Sequence, residues 1–184
     1  MSRGRPSKKQ AILTTAQRLF SESGYQGTSI DLVVKESNSS KPTVYNNFPT
    51  KQALLHELLK QAIEEATLFR TDLRSSADIS VTTSLIRAFS HIIQTPLQLA
   101  IYRICYGERH KLDEESRQLF KNFEDSLTQW FKEQLQASQG QITDDKVFTI
   151  RAICREGLII PAISGEKPVP EEQLVQIIEA ILNG

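Results

Sequence analysis

The chain has 184 residues, 39% of them apolar, and equal numbers of basic and acidic residues. This length suits one or two small domains, and the apolar fraction is ordinary for a globular protein, which argues against a disordered or membrane-spanning chain. The charge is uneven: residues 1–60 hold nine Lys and Arg against four acidic residues, whereas the remainder holds 13 against 18. A basic N-terminal part beside an acidic remainder is typical of a nucleic-acid-binding head on a body that does not bind nucleic acid. Chance clustering on a solvated surface is the alternative.

Patterns that indicate catalysis, a metal site or a membrane are missing from the sequence. Cys105 and Cys154 are the only cysteines, and neither they nor the three histidines have metal-ligand or disulfide-framework spacing. There is no glycine-rich phosphate loop, no nucleophile elbow, no signal peptide and no apolar run of membrane-spanning length. We therefore expect a cytoplasmic, nucleoid-associated protein that is not an enzyme and has no metal, cofactor or membrane partner. Buried, inert thiols are expected, with a redox switch as the alternative.

The chain begins with a basic arm, residues 1–7, whose glycine and proline oppose helix formation. Arg3 and Arg5 in this arm are candidates for DNA contact, and a disordered solubilising tail is the alternative. A first helix is predicted over residues 8–23, because apolar residues recur there at helical spacing and Gly24 suits a helix C-cap.

Two short helices joined by a tight turn are predicted next, within TSIDLVVKESNSSKPTVYNNFPTK. Thr28 is the predicted N-cap of the second helix, and the polar run at residues 37–40 ends that helix. Ser40 is the predicted N-cap of the third helix, with proline in its first turn. A short helix held by a preceding helix across a tight turn is the helix-turn-helix arrangement.

The third helix is predicted to have an inner and an outer side. Val44 and Phe48 are four residues apart and should point inward, whereas Thr43, Asn46 and Asn47 should point outward. The outward group carries hydroxyl and amide side chains, which suit contacts to DNA bases.

The stretch KPTVYNNFPTKQALL, with Thr28 and the pair Gly24-Tyr25, resembles the signature of the TetR family of bacterial transcription regulators. The resemblance covers about fifty residues and implies an N-terminal three-helix head on a C-terminal helical domain for ligand binding and dimerisation. It implies a homodimer on operator DNA and a ligand pocket in the C-terminal domain. Pro42 stands where this family often has glycine, and Asn46-Asn47 where it often has aromatic residues or histidine, so the operator sequence cannot be inferred.

The DNA-binding candidates divide into residues that position the head and residues that read bases. The positioning residues are expected to bond phosphate oxygens, because hydroxyls, ammonium groups and helix N-termini attract anions; they are Thr28, Tyr45 and Lys51. The base-reading residues are Lys41, Thr43, Asn46 and Asn47, with Pro42 as an apolar contact to a thymine methyl. A packed core aromatic is the alternative for Tyr45, and a solvated face is the alternative for the two asparagines.

The rest of the chain is predicted to be helical, which gives an all-α protein of about nine helices. The predicted helices cover residues 51–73, with Thr50 as N-cap, and then 81–94, 96–106, 113–137, 143–163 and 171–182. Polar connections are predicted at residues 71–80 and 107–112. We place the DNA-binding domain at residues 1–50 and the ligand-binding and dimerisation domain at residues 51–184.

The last two helices are apolar on more than one side, which is typical of a helix buried both in its own core and against a partner. Two helices from each of two chains would make a four-helix interface, and the resemblance implies the same arrangement. The interface candidates are Val147, Ile150, Cys154, Gly157, Leu158, Leu174, Ile177, Ile178 and Ile181. Completion of a monomer core is the alternative.

A small apolar or amphipathic inducer is expected in the C-terminal domain, because the resemblance implies a pocket there. The candidates for its lining are aromatic, with core packing as the alternative: Phe69, Phe89, Tyr102, Tyr106, Phe123 and Trp130. The fourth helix is the expected lever between pocket and head. We therefore expect a repressor that a small molecule releases from a palindromic operator. The alternatives are a TetR-like architectural or nucleoid-associated factor without ligand, and a partner-binding module that has lost DNA affinity.

Overall fold

The computed structural model describes residues 7–75 and 79–184, so the predicted contacts of Arg3 and Arg5 lie outside the described residues. The described residues are helical apart from short connections and contain no strand, which confirms the predicted all-α class. The helices are α1 (Lys8–Gly27), α2 (Ile30–Glu36), α3 (Lys41–Asn47), α4 (Lys51–Ser75), α5 (Val81–Gln94), α6 (Pro96–Gly107), α7 (Glu114–Gln139), α8 (Asp144–Cys154), α9 (Ile160–Ser164) and α10 (Glu171–Asn183). A π turn, Arg155–Ile159, joins α8 directly to α9, and a 3-10 turn, Arg109–Lys111, precedes α7.

The first of two compact units takes in the chain up to Ala62 together with Ala100–Phe120. Within it α1 packs against both α2 and α3, and α2 packs against α3. The core is built from apolar side chains at helical spacing, so burial of one face of each helix holds the unit together. Its buried residues on α1–α3 include Ile12, Ala16, Leu19, Phe20, Val33 and Val44.

The second compact unit takes in Ile63–Leu99 and Lys121–Gly184. Here α5 packs against α8, the π turn and α10, and α8 packs against α10. Phe89 of α5 and Phe131 of α7 meet edge to face, with ring centroids 5.8 Å apart. This edge-to-face arrangement is the one that the ring quadrupole favours.

Most predicted helix ends agree with the structure to within two residues, but the end of α1 and the predicted loop after α4 differ for a visible reason. The backbone of Gly24 (φ 69°, ψ −177°) breaks the regular part of α1, but a further helical turn carries the helix to Gly27. The fourth helix runs through Ser75, so the predicted loop at residues 71–80 is wrong for residues 71–75; of the rest, residues 76–78 lie outside the described chain. Leu73 is buried and Arg74 pairs with a carboxylate of α7, which holds this last turn in place.

The boundary predicted between residues 50 and 51 separates a DNA-binding domain from a ligand-binding and dimerisation domain. This division by function stays a prediction. The compact units divide the chain differently, because α4, α6 and α7 each contribute residues to both units.

Candidate functional site

Hydroxyl caps set the ends of α2 and α3. The Ser29 hydroxyl accepts a hydrogen bond from the Leu32 N–H at 3.1 Å, so Ser29 is the N-cap of α2 and the predicted cap, Thr28, is wrong. The Ser40 hydroxyl accepts from the Thr43 N–H at 3.3 Å, which confirms the predicted cap of α3. These caps satisfy backbone donors that a helix N-terminus would otherwise leave unpaired.

Buried anchors turn one side of α3 to solvent. Val44 is 0% exposed and Phe48 is 3% exposed, as predicted, so they fix the rotation of α3 about its axis. The opposite side is the reading face, which we define as the side chains of Lys41, Pro42, Thr43, Tyr45, Asn46 and Asn47. Thr43 is half-buried there and the others are exposed. Every base-reading candidate is thus at least partly accessible to a second molecule.

The reading face carries internal contacts that orient its polar groups. The Asn47 amide donates to the Thr43 carbonyl at 2.8 Å, and the Thr43 hydroxyl lies 2.7 Å from the capping hydroxyl of Ser40. Lys41 forms an ion pair with Asp31 of α2 at 2.9 Å, and its ammonium lies 5.5 Å from the centre of the Tyr45 ring. The hydrogen bond to Asp31 raises the pKa of Lys41 above its ordinary value. The ammonium has three N–H donors, so it can also donate to a guanine or a phosphate while it pairs with Asp31.

Two of the three positioning candidates are engaged in holding the first unit together. Thr28 is 1% exposed, and its hydroxyl donates to the Gly24 carbonyl at 2.9 Å. The Lys51 ammonium donates to the Tyr25 carbonyl at 2.7 Å and lies 4.2 Å from the centre of the Tyr25 ring. Burial lowers the pKa of Lys51 from its ordinary value, while the nearby Glu108 opposes that shift. Both side chains have structural roles, and their phosphate contacts stay predictions.

A carboxylate that the sequence analysis missed completes this corner. Glu108 accepts hydrogen bonds from the backbone N–H groups of Tyr25 and Gln26, each at 2.8 Å. A β-carbon added at Gly24 would lie 2.7 Å from the same carboxylate, so a side chain there would collide with it. Only a pairing signal between residues about eighty positions apart could have found this contact, and one sequence carries none.

Residues 12–58, which run from within α1 into α4, match the family model described as bacterial regulatory proteins, tetR family. This part of the chain therefore resembles the helix-turn-helix domain of the TetR family. The match confirms the family resemblance over these residues, and the matched family is one of regulatory proteins. The match covers the elements that position the reading face.

Relatives and solved structures extend the TetR comparison. The transcriptional repressor ComR of Escherichia coli K12 is 36% identical over 76 residues, which are 37% of this chain and 36% of that protein. Among the curated relatives the matched part is between 18% and 36% of their own length. A transcriptional regulator from Aquifex aeolicus VF5 shares the fold with a TM-score of 0.77 at 21% identity, over 95% of this chain and 99% of that one. A protein from Saccharomonospora viridis in complex with choline has a TM-score of 0.72 at 21% identity, over 95% of each chain.

The dimer candidates of this TetR-like chain are mostly covered by their own chain. Seven of the nine are buried: Val147, Ile150, Cys154, Gly157, Leu158, Leu174 and Ile178. Ile177 is 38% exposed and Ile181 is half-buried. Gly157 is covered within its own chain, because a β-carbon there would lie 2.9 Å from the Leu174 side chain. The exposed side of the same helices includes Phe148, which is 74% exposed, so a partner would reach this side instead.

The six aromatic candidates for a ligand pocket are divided between the compact units. Tyr102 and Tyr106 belong to the first unit, where both rings meet Phe120 edge to face. The other four belong to the second unit: Phe69, Phe89, Phe123 and Trp130. Phe69 stacks on His91, with ring centroids 3.8 Å apart, and Phe123 is 0% exposed.

A cleft of about 340 Å³ lies in the second unit between α4 and α7, and of the six candidates Trp130 lines it. Its other lining residues are polar or charged, whereas the candidates named from the sequence are aromatic; these lining residues are Thr67, Arg70, Thr71, Arg74, Ser126, Gln129 and Glu133.

The described residues show neither a metal-ligand cluster nor a helix suited to crossing a membrane. Residues 7–75 and 79–184 contain no group of three or more histidine, cysteine, aspartate or glutamate residues arranged to hold a metal ion. Within the same ranges, no helix has both the length and the apolar character needed to cross a bilayer.

Proposed function

We propose that this chain is a transcriptional repressor that binds a palindromic operator as a homodimer and that a small molecule releases it. The observation that carries the proposal is the reading face of α3. Its polar side chains are exposed because Val44 and Phe48 anchor the opposite side. A helix presented in this way fits the major groove, where asparagine pairs with adenine and lysine donates to guanine. The similar protein ComR is a transcriptional repressor, which supports repression rather than activation.

Electrostatics supports DNA as the partner. The basic excess within residues 1–60 would attract the phosphate backbone and displace its counterions, which makes affinity strongly dependent on salt. Lys41 contributes a cation to the reading face, and its ion pair with Asp31 holds that ammonium at the start of α3.

The exposed side of α8 and α10 supports a homodimer. Phe148 is 74% exposed and Ile177 is 38% exposed, and both stand on helices whose other side is buried in the second unit. A large aromatic side chain left in water is a common anchor of a protein interface. A twofold partner would cover both side chains and present two reading helices to one face of the duplex.

The cleft between α4 and α7 supports regulation by a small molecule. A volume near 340 Å³ is at the small end of the range for ligand sites, about 300–1,000 Å³. The Saccharomonospora viridis protein of similar fold was solved in complex with choline, so that fold accommodates a small molecule. A ligand would release DNA here only if it bound one conformation of the dimer better than the other.

One observation favours the ligand-free architectural factor as a second candidate function. Phe89 and Phe123 are 1% and 0% exposed, so these predicted pocket residues already fill the interior with their own side chains. On this alternative the protein would bind DNA in the cytoplasm as a nucleoid-associated factor with no effector.

A gel-shift titration on the DNA upstream of the protein's own gene tests the proposal. We expect a discrete complex at low salt that weakens steeply as salt rises, because counterion release drives binding. A complex on that DNA but an equal complex on random DNA of the same length would favour the architectural factor. Absence of any complex at low salt would contradict both DNA-binding functions.

A further inference from the structure

The cleft between α4 and α7 combines buried and exposed cationic groups. Arg70 lines it although the residue is only 5% exposed, and Arg74 lines it at a largely exposed position. Glu133 is the acidic residue of the lining and pairs with Arg74 at 2.5 Å. The lining thus places two guanidinium groups beside one carboxylate.

The buried arginine is held in place by hydroxyl groups of both helices. Its Nη2 atom donates to the Thr67 hydroxyl at 3.2 Å and to the Ser126 hydroxyl at 3.1 Å. Each hydroxyl in turn donates to a backbone carbonyl of its own helix, Thr67 to Ile63 and Ser126 to Phe123. The guanidinium is therefore fixed in orientation before any ligand arrives, and preorganisation of this kind lowers the entropic cost of binding.

The tryptophan in the lining adds a second feature. Trp130 is 8% exposed, and its indole N–H is buried with no hydrogen-bond acceptor among the described residues. A buried donor without an acceptor is unfavourable by about 1–3 kcal/mol, so a hydrogen-bond acceptor beside the indole N–H would be stabilising. The indole also offers a flat apolar surface beside the polar walls.

We propose that this cleft binds a small carboxylate that carries a flat apolar group. The carboxylate would lie between Arg74 and Arg70, since a guanidinium matches the two oxygens of a carboxylate with parallel hydrogen bonds. The flat group would pack on Trp130. A dianionic phosphate suits the cleft less well, because Glu133 repels two negative charges more strongly than one.

Glu133 would compete with a bound carboxylate for Arg74. The proposal therefore predicts opposite changes in carboxylate affinity for substitutions of these two residues. Arg74→Gln removes a charged donor and should weaken carboxylate binding by about tenfold or more. Glu133→Gln removes the competing carboxylate and should strengthen it. A variant that merely loosened the second unit would weaken binding in both cases.

The test is a titration of the purified full chain with benzoate and with its uncharged isostere benzamide. Trp130 is the only tryptophan of the 184 residues, so its fluorescence reports on the cleft directly. Calorimetry measures the same binding independently. We expect benzoate to bind saturably at millimolar concentration or below, benzamide to bind at least about tenfold more weakly, and inorganic phosphate not to compete.

Arg87→Gln is the matched control, because Arg87 is an exposed arginine of the second unit that also faces a glutamate, Glu171, at 3.9 Å. It should bind benzoate as the wild type does. The proposal is overturned if benzoate produces neither heat nor a change in emission, if benzamide binds equally well, or if Arg74→Gln and Arg87→Gln have the same effect.

As an effector site the cleft rests on the proposed function. The titration contains no DNA, so its failure would leave DNA binding standing, and a failed gel shift would leave the carboxylate site standing.

Discussion

The carboxylate of Glu108 accepts a hydrogen bond from the backbone N–H of Tyr25 at 2.8 Å, although the two residues lie 83 positions apart. A second bond from the Gln26 N–H, also at 2.8 Å, occupies the other carboxylate oxygen. Both donors follow the break in α1 at Gly24 and would otherwise lack intrahelical acceptors. One carboxylate therefore fixes the end of α1 and, through it, the approach to α2.

Replacing this carboxylate should destabilise the first unit. In Glu108→Gln the amide nitrogen faces one of the two N–H donors, so we expect a loss of about 1–3 kcal/mol in the free energy of unfolding. Urea titration followed by circular dichroism measures the change. Glu64→Gln is the control, since Glu64 is an exposed glutamate of α4, and it should change stability little. Equal stability of both variants and the wild type would contradict the role of Glu108.

Lys51 should contribute to folding as well as to DNA binding. Its ammonium donates to the Tyr25 carbonyl and faces the Tyr25 ring, so we expect Lys51→Ala to cost about 1–2 kcal/mol of stability. If Lys51 also contacts a phosphate, Lys51→Ala should release about one counterion fewer per half-site on DNA binding. This number is obtained from the slope of log affinity against log salt concentration. Lys167→Ala, at an exposed position in the second unit, should change neither quantity. A loss of stability with an unchanged salt dependence would restrict Lys51 to its structural role.

Cys154 should make the folded state less stable in alkali. Burial raises the pKa of this thiol to about 12, while its ordinary value is 9.0. Above pH 9 the thiol ionises in the unfolded chain but stays protonated in the folded one. Stability is therefore complete below that pH and falls as pH rises toward about 12, by up to about 1.4 kcal/mol per pH unit.

Unfolding experiments at several alkaline pH values test this expectation, with Cys154→Ala as the comparison. The variant should be less stable at neutral pH because it leaves a cavity, but it should lose stability less steeply as pH rises. Identical slopes for the variant and the wild type would show that another group governs the alkaline behaviour. The same burial predicts that iodoacetamide does not modify Cys154 in the native protein, which argues against a redox switch there.

Phe148 should decide the oligomeric state. A glutamate in place of this 74% exposed side chain should convert the proposed dimer into a monomer of unchanged helical content, because it places a charge at the centre of the interface. Sedimentation equilibrium measures the mass. Leu68→Glu is the matched control, since Leu68 is a large apolar side chain of α4 that is 62% exposed, and it should leave the dimer intact. A monomeric wild type, or a dimer that survives Phe148→Glu, would contradict the proposed interface.

Local signals in the sequence predicted the elements of the fold well. Ser40 and Thr50 cap the helices that follow them, as predicted, and Val44 and Phe48 are buried as their spacing indicates. The choice of Thr28 over Ser29 as a cap was wrong because both are good cap residues, and only the backbone bonds of the folded chain distinguish them.

Contacts between distant segments could not be predicted in the same way. The stripe of Val147, Ile150 and Cys154 is apolar, but a single sequence does not say whether its own chain or a partner covers it. The structure buries it within the second unit, and Leu174 of α10 takes the space beside Gly157. The polar cleft was missed for a related reason, since exposed threonine, glutamine and arginine residues usually indicate only a solvated helix face.

The central claim is that the reading face of α3 lies in the major groove and selects bases there. The most direct test compares wild type and Asn46→Ala by fluorescence anisotropy on an operator and on a set of single base-pair variants, with random DNA alongside. We predict that Asn46→Ala loses about 1–3 kcal/mol of discrimination at one base pair per half-site, while its affinity for random DNA stays unchanged. Gln176→Ala, an exposed amide of α10, should keep the wild-type pattern. If Asn46→Ala instead weakens operator and random DNA equally, or changes neither, α3 does not read bases through this face.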